Sequence, residues 1–377
     1  MSFIYNEEQK MLRDMVKEFG EKEIAPLMEE YDRTGEVPLE LYKKARKMGL
    51  HALEMPTEYG GGGLDSVTTC TTLEELSKFD AGFAVGCAAT ILASLPVLLD
   101  GTEEQKKMFC DLIIPDGMAA FCLTESQAGS DASAVKTTAV KDGDDYVING
   151  TKSFITNGAI ADVYTVIAIT DKSKGIKGLS AFLVERNRDG ISVGKEEDKM
   201  GIRLSNTTEV IFENVRIPSS NLLGKEGEGF KIGMKTLDHS RPSVAACAVG
   251  ICQSAIDQSV KYAKERVTFG KPIASNQAIQ FMLADMEIQT QAARQLVYET
   301  AELVEAKKPH TKEAAIAKCF ATDTAMKVAT DAVQIFGGYG YSKEYPIEKL
   351  MRDAKIFQIF EGTNQIQRMV ISGNMLR

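Results

Sequence analysis

Apolar residues recur at three-and-four spacing through the first stretch of the chain. Leu12, Met15, Val16 and Phe19 form one stripe, and similar stripes run from Leu39 to Met48 and from Leu73 to Phe79. That period places them on one face of a helix. Tyr59-Gly60-Gly61-Gly62-Gly63 interrupts the helices as a loop. Near residue 119 the period shortens to that of strands. Tyr146-Val147-Ile148, Asn149-Gly150 and Ser153-Phe154-Ile155 read as strand, primed two-residue turn and strand. Val163 to Ile169, Leu179 to Val184 and Glu209 to Phe212 continue with β-branched and aromatic residues between turn signals. No helix-length segment separates them, which predicts an antiparallel sheet or barrel rather than a parallel one. Beyond Gly229 the helical period returns, with Ile279, Met282, Leu283, Met286, Ala293, Leu296 and Val297 on one face of a long helix. Short connections such as Lys307-Lys308-Pro309 predict an antiparallel bundle. The pattern divides the chain into a helical domain over 1–118, a β-domain over 119–225 and a helical bundle over 226–377.

A length of 377 residues suits several packed layers, and 44% hydrophobic with 26% charged residues is ordinary for a globular enzyme. A net charge of −9 argues against a nucleic-acid-binding surface. The seven cysteines are widely spaced with no CxxC pair, so they read as reduced core residues rather than disulfides or zinc ligands. His51, His239 and His310 are too far apart in sequence to favour a metal site or a serine triad. The start is acidic, with no secretory signal, and no apolar run approaches membrane-spanning length. A cytoplasmic protein without metal, membrane or nucleic-acid partner is expected.

Several segments can carry chemistry. Ala120 to Asp131 is a short apolar strand entering a loop of small and hydroxyl residues, in which Gly129 would let a pyrophosphate approach backbone N–H groups. A plain surface turn would look the same. Phe154 and Thr156 can lie against a planar cofactor, or Phe154 can be a core residue. Arg241 and Arg266 can grip an anionic ligand or serve as ion-pair partners. Three glycines in Gly337-Gly338-Tyr339-Gly340 exceed what one helix cap needs. Glu361 stands between an aromatic and a glycine, outside any amphipathic stripe, where an apolar setting would make it basic; a solvated acid near a helix start is the alternative.

Taken in order, these segments resemble the acyl-CoA dehydrogenase family over nearly the whole chain. The resemblance runs from Pro56-Thr57-Glu58-Tyr59-Gly60-Gly61 through Leu123-Thr124-Glu125, Ala128-Gly129-Ser130-Asp131, Phe154-Ile155-Thr156-Asn157 and Lys199-Met200-Gly201. It continues through Glu265-Arg266, Thr268-Phe269-Gly270, Gln334-Ile335-Phe336-Gly337-Gly338 and Met351-Arg352-Asp353-Ala354-Lys355 to Phe360-Glu361-Gly362-Thr363. Ser126-Gln127 replaces the more usual Pro-Gly or Pro-Asn, Phe360 a frequent Tyr, and Phe154 the Trp of many members.

The resemblance implies an α+β fold: an N-terminal helical domain, a middle antiparallel β-domain and a C-terminal antiparallel four-helix bundle. It implies a homotetramer, a dimer of dimers, with FAD between the β-domain and the bundle. Phe121, Leu123, Thr124, Gly129 and Ser130 match the loop at flavin and pyrophosphate, and Phe154 and Thr156 match residues at the isoalloxazine ring. Arg266, Phe269, Gln334, Gly337 and Gly338 match positions that reach the neighbouring subunit's FAD, and Thr363 and Gln365 the adenosine side. Asp238, Arg241, Ser130 and Gly362 fall on the thioester side, with Glu361 as the catalytic base. The implied reaction is α,β-dehydrogenation of a short- to medium-chain acyl-CoA, or its reverse, with electrons exchanged with electron-transfer flavoprotein. An oxygen-using flavin oxidase or monooxygenase and a non-catalytic flavin binder are the alternatives. The pocket floor is expected around Ala88 to Leu95, a stretch without a charged marker.

Overall fold

The computed structural model describes residues 5–376. Six helices come first: α1 (Glu7–Phe19), α2 (Ala25–Thr34), α3 (Leu39–Lys47), α4 (Ser66–Phe79), α5 (Ala81–Asp100) and α6 (Glu103–Ile113). Local chemistry sets several of their starts. Asn6 and Thr102 form capping boxes with Gln9 and Gln105, and the Asp65 and Asp80 carboxylates accept the N–H groups of Thr68 and Phe83. The expectation that no apolar run reaches membrane-spanning length fails at α5, a 20-residue helix containing an 18-residue window of mean hydropathy 2.0. Most of that apolar surface is buried inside the protein against α4, α7 and the first strand, so α5 is a core helix.

The sheet contains β1 (Ala119–Cys122), β2 (Thr138–Asp142), β3 (Asp145–Thr156), β4 (Val163–Ile169), β5 (Leu179–Glu185), β6 (Ile191–Val193), β7 (Thr207–Pro218) and β8 (Leu222–Leu223). Their order is β6-β7-β3-β2-β4-β5-β8, with β1 against β4. Pairing is antiparallel except that β1, and one bridge of β2, run parallel to β4. The Asn149-Gly150 turn is a misreading of the sequence: β3 runs straight through it as one 12-residue strand. The turn lies earlier, at Gly143-Asp144, where Asp142 pairs with Asp145 and Gly143 has φ +62°. Asn149-Gly150 instead marks a β-bulge opposite β7, where the Asn149 side chain accepts the Asn214 N–H at 2.8 Å. A Cβ on Gly150 would meet the Thr137 backbone at 2.7 Å, so the glycine serves close packing rather than a turn.

After the sheet come α7 (Gly229–Glu265), the hairpin β9 (Val267–Thr268) and β10 (Lys271–Pro272), α8 (Gln277–Glu305), α9 (Thr311–Phe336), α10 (Ile347–Phe357) and α11 (Asn364–Met375). Helices α7, α8 and α9 pack pairwise, with α10 and α11 against α9. Helices α4 and α5 pack on α7, so the N- and C-terminal helices share one hydrophobic core, while the sheet's two faces feed two smaller ones.

One buried ionic cluster ties these parts together. The Lys349 ammonium lies 2.6 Å from Asp80, the cap of α5, and also pairs with Asp353, which accepts the Ile202 N–H at 2.6 Å. Gly201 fits against Arg352, whose backbone carbon would be 2.5 Å from a Cβ there, and Arg352 donates to the Met200 carbonyl. Two of the sequence motifs, Lys199-Met200-Gly201 and Arg352-Asp353, are thus a single contact between sheet and bundle. Lys349→Met would leave two buried carboxylates without their cation, an expected loss of about 3–5 kcal/mol. A urea midpoint within error of the parent would show that the carboxylates find other partners.

Candidate active site

Glu361 lies in the short link between α10 and α11, in the left-handed region at φ +52°, followed by Gly362 at +90°. It is half-buried, and its carboxylate points into a cavity rather than out to solvent. Thr363 caps α11 through its hydroxyl, which accepts the Ile366 N–H, and so ends the link. The Ser240 hydroxyl donates to the Glu361 carboxylate at 2.6 Å. Burial pushes the Glu361 carboxyl up; the Ser240 hydrogen bond and the positive charges of Arg241 and Lys318 pull the other way without cancelling it. The carboxylate is thus hydrogen-bonded at the cavity rather than free in solvent.

The cavity opens between α5 and α7. Ala88, Ile91, Leu92 and Leu95 line it from one face of α5, as expected for the pocket floor, and Ser240, Ser243 and Val244 face them from α7. The α5 face carries no charge, but the rest of the lining does. Glu54 and His239 also line the cavity, with Oε2 and Nε2 3.4 Å apart.

The sequence candidates fall into three groups. Around Glu361, Arg241 is buried, pairs with Asp238 at 2.5 Å, and keeps its Nε without a partner among the described residues. The Asp238 carboxylate also accepts the Thr311 hydroxyl, and the Gly362 carbonyl accepts Lys318 Nζ at 2.9 Å. Gln365 is exposed at the start of α11, beside the half-buried Thr363.

The second group lies on the sheet. Glu125 is buried and bonds to Lys152 Nζ at 2.7 Å and to the N–H groups of Lys136 and Thr137. Burial opposes its ionisation, but Lys152 and these donors outweigh it and bring the carboxyl down to about 2. Lys152 also reaches the Leu123 carbonyl, and the Ser153 N–H donates to the Thr124 carbonyl. These bonds hold the Leu123–Ser130 loop to β3 just where a second bulge, between Lys152 and Ile155, turns Phe154 outward. Phe154 is 64% exposed at φ +56°, so it is not a core residue. Thr156 follows at the end of β3, half-buried like Phe121, Leu123 and Thr124, while Gly129 and Ser130 are exposed.

The third group is separate. Arg266 ends α7, its guanidinium 5.4 Å from the Tyr339 ring centre, and Phe269 stands fully exposed at the β9–β10 turn with φ +50°. Arg266, Gly337 and Gly338 line a groove of about 620 Å³ past the end of α9, and the exposed Gln334 lies one turn before it. No residue of the sheet lines that groove.

Three family profiles match the chain in this same order: the acyl-CoA dehydrogenase N-terminal domain over residues 6–114, the middle domain over 120–215 and the C-terminal domain over 227–376. The chain belongs to the acyl-CoA dehydrogenase family. An acyl-CoA dehydrogenase of Bacillus subtilis is 50% identical over 374 residues, 98% of each chain. The butyryl-CoA dehydrogenase structure from Megasphaera elsdenii superimposes with a TM-score of 0.97 at 48% identity over the full length of both chains. A structure described with the electron transferring flavoprotein of Acidaminococcus fermentans and flavin-based electron bifurcation gives 0.97 at 51% identity, again over both full lengths.

Members of the family are FAD enzymes, and FAD is the cofactor of this chain. The residues present fit it. No atom lies within 4 Å of where a Cβ would stand on Gly129, Gly337 or Gly338, so both loops leave room for a ligand's approach. An outward-facing phenylalanine at positive φ beside a rigid loop suits a planar ring system.

Sequence reading missed Glu54, His239, Ser240 and Lys318. Lys318 falls in the buried stripe of α9 with Ala314, Ala315, Ala321, Thr322 and Ala325, a position whose spacing marks it as inward-facing despite its charge. Glu54 stands between the buried Leu53 and Met55.

The raised Glu361 pKa has a consequence for stability. Its contribution to folding is present below the ordinary carboxylate range and is lost as pH rises through the raised folded value. Glu361→Gln removes that titration, so the parent should lose thermal stability relative to the variant on going from pH 4 to pH 8. A stability difference that does not change with pH would contradict the burial of this carboxylate.

Proposed function

We propose that the chain dehydrogenates a short straight-chain acyl-CoA between its α and β carbons to the trans-2-enoyl-CoA, or runs the reverse reduction, with Glu361 as the base. The observation that carries this reading is the Glu361 carboxylate lining the cavity opposite the apolar face of α5, a setting in which burial raises its pKa. A thioester α-proton is weakly acidic, and a carboxylate in an apolar setting is a stronger acceptor for it than one in water. Bound FAD supplies the acceptor for the β-hydride.

Glu361 takes the α-proton and holds it on its carboxyl, with Ser240 fixing the orientation. Its N–H has no partner among the described residues and is free to donate to the thioester carbonyl as charge develops there. The α5 wall orients the acyl chain and excludes water. Asp238, Arg241, Ser130 and Gly362 serve the CoA side.

For the cofactor, Phe121, Leu123, Thr124, Gly129 and Ser130 hold flavin and pyrophosphate, and Phe154 and Thr156 face the ring. The groove lined by Arg266, Gly337 and Gly338 receives no residue from the eight-stranded sheet, which favours its use, together with Phe269 and Gln334, by the FAD of a neighbouring subunit in a homotetramer. Thr363 and Gln365 complete the adenosine side. The three units over 1–118, 119–225 and 226–377 then place one active site at each sheet–bundle junction of a soluble, cytoplasmic enzyme. The relative from Megasphaera elsdenii supports butyryl-CoA as substrate, and the Acidaminococcus fermentans structure supports electron-transfer flavoprotein as electron partner.

Glu361→Gln should keep FAD and thioester binding while bleaching of bound flavin by saturating butyryl-CoA slows at least ~100-fold, the low end for a positioned general base. Stopped-flow absorbance is the measurement, and parental bleaching in the variant would mean that another group is the base. Arg266→Ala should lower FAD retention and tetramer stability together. Flavin content and sedimentation on one sample test this, and loss of neither would remove Arg266 from the cofactor site.

A further inference from the structure

The three cations buried most deeply are lysines, and one of them, Lys318, lies directly beneath the Glu361 turn without a part in the reaction described so far. Its side chain is fully buried in α9, and burial pushes its ammonium down to about 8. It donates to the Gly362 carbonyl at 2.9 Å and to Asn364 Oδ1 at 3.0 Å, two acceptors flanking Thr363. The Asn364 amide in turn donates to the Cys319 carbonyl, Thr322 Oγ1 and Asp323 Oδ1, so this part of the link is stitched along one face of α9. Surface lysines do not behave in this way. Taking an ammonium out of water is costly, and the two neutral acceptors it meets here offset that cost only in part.

We propose that Lys318 is a positioning residue for Glu361: its ammonium fixes the Gly362 peptide, and with it the direction of the carboxylate, and adds positive charge that keeps the carboxylate ionised. This rests on Glu361 being the base. The geometry favours the role because the Gly362–Thr363 peptide that Lys318 grips directly follows the one joining Glu361 to Gly362, and both of those residues are at positive φ. Gln367 Nε2 donates to the same Gly362 carbonyl and to that of Glu361, so the turn keeps a partner when the ammonium is removed. Asn364 Oδ1 likewise still accepts from Thr322. A neutral replacement should therefore loosen the turn rather than unfold it.

Other charged and titratable groups line the cavity or pack around Arg241 and Lys318. From α7 come Asp238, His239, Arg241 and Cys247; from α9, Cys319 and Asp323 beside Lys318; from α11, Arg368; and from the loop before α4, Glu54. Asp238 is committed to Arg241 and Asp323 to Arg368, the two cysteines are held neutral by burial, and Glu54 faces His239. Lys318 forms no salt bridge among the described residues, and it and Arg241 are the two cations that favour the ionised form of Glu361.

The test uses FAD-loaded Lys318→Met, Lys318→Gln and Lys318→Arg, with three readouts: flavin content, affinity for a non-reducible butyryl-CoA thioether, and stopped-flow bleaching by butyryl-CoA from pH 5.5 to 9. Both neutral variants should retain flavin and bind the thioether within about threefold, yet bleach about 10- to 100-fold more slowly at pH 7, the scale of a misplaced reacting group. Removing a cation raises the Glu361 pKa, so their acid limb should move to higher pH and part of the rate should return as pH rises. Lys318→Arg keeps the charge and should hold the limb at the parental pH. A limb that stays in place in the neutral variants, or a rate loss that only tracks lost flavin, would overturn the proposal and leave Lys318 structural. If Lys318→Met does not fold, the same comparison is read from Lys318→Gln. Glu361→Gln in the same assay separates the two ideas: parental bleaching there overturns the base assignment and this proposal together, whereas an inactive Glu361→Gln with unchanged neutral Lys318 variants overturns the proposal alone.

Discussion

Glu361 and Gly362 both occupy the left-handed region, at φ +52° and +90°, and a non-glycine residue held there costs about 1–3 kcal/mol. The chain keeps that conformation only because its surroundings over-determine it. Thr363 starts α11 immediately afterwards, Gln367 reaches back from the first turn of that helix to two carbonyls, and Lys318 holds one of them from below. The aim of the carboxylate into the α5–α7 cavity follows from these bonds. Since α5 belongs to the N-terminal helices and α7 to the C-terminal ones, the cavity exists only once the shared core has formed.

The same physical device appears three times. Lys152, Lys318 and Lys349 are each almost wholly buried, and each joins a regular element to a loop or cap. Lys152 ties β3 to the Leu123–Ser130 loop, Lys318 ties α9 to the Glu361 turn, and Lys349 ties α10 to the cap of α5. Their charge balance differs. Lys349 meets two carboxylates, which raise its pKa against the effect of burial, and Lys152 meets one. Lys318 forms no salt bridge with any described carboxylate, and its pKa falls, as does that of Lys152, whose burial outweighs its single partner. A fully compensated buried cation serves as a structural pin, whereas an uncompensated one projects its field onto whatever lies nearest. Here the nearest reactive group is Glu361.

Much of the fold was legible because period and turn chemistry agree over long stretches. The α8 stripe, the β4 and β5 runs and the glycines after α9 each fall where the pattern places them. The failure at Asn149-Gly150 is instructive. That dipeptide favours a primed turn, but a strand paired on both sides, by β2 and β7, gains more from continuing than from turning, and the residues become a bulge. The long apolar α5 was underestimated for a related reason: composition does not say whether apolar surface faces lipid or core. At the site, Glu361 was legible from its motif, but Lys318 and Glu54 were not, because charged residues are ordinarily placed on the surface. The partners that overturn that expectation lie some forty residues away for Lys318 and far more for Glu54, which meets His239 across the cavity.

The site's electrostatics also constrain the order of events. Before substrate enters, Arg241 and Lys318 keep Glu361 closer to ionisation than burial alone would allow, although they do not restore an ordinary pKa. A thioester filling the cavity replaces water with hydrocarbon, which strengthens the burial effect and makes the carboxylate more basic. It also strengthens the pull of the two cations, because the intervening medium is less polarisable. These effects oppose each other, and their balance depends on distance. Arg241 is already committed to Asp238, and so a part of its field is neutralised within 2.5 Å. Lys318 has no such partner. On the proposed assignment of Glu361 as the base, Lys318 favours the ionised carboxylate that accepts the α-proton, and protonation removes that attraction.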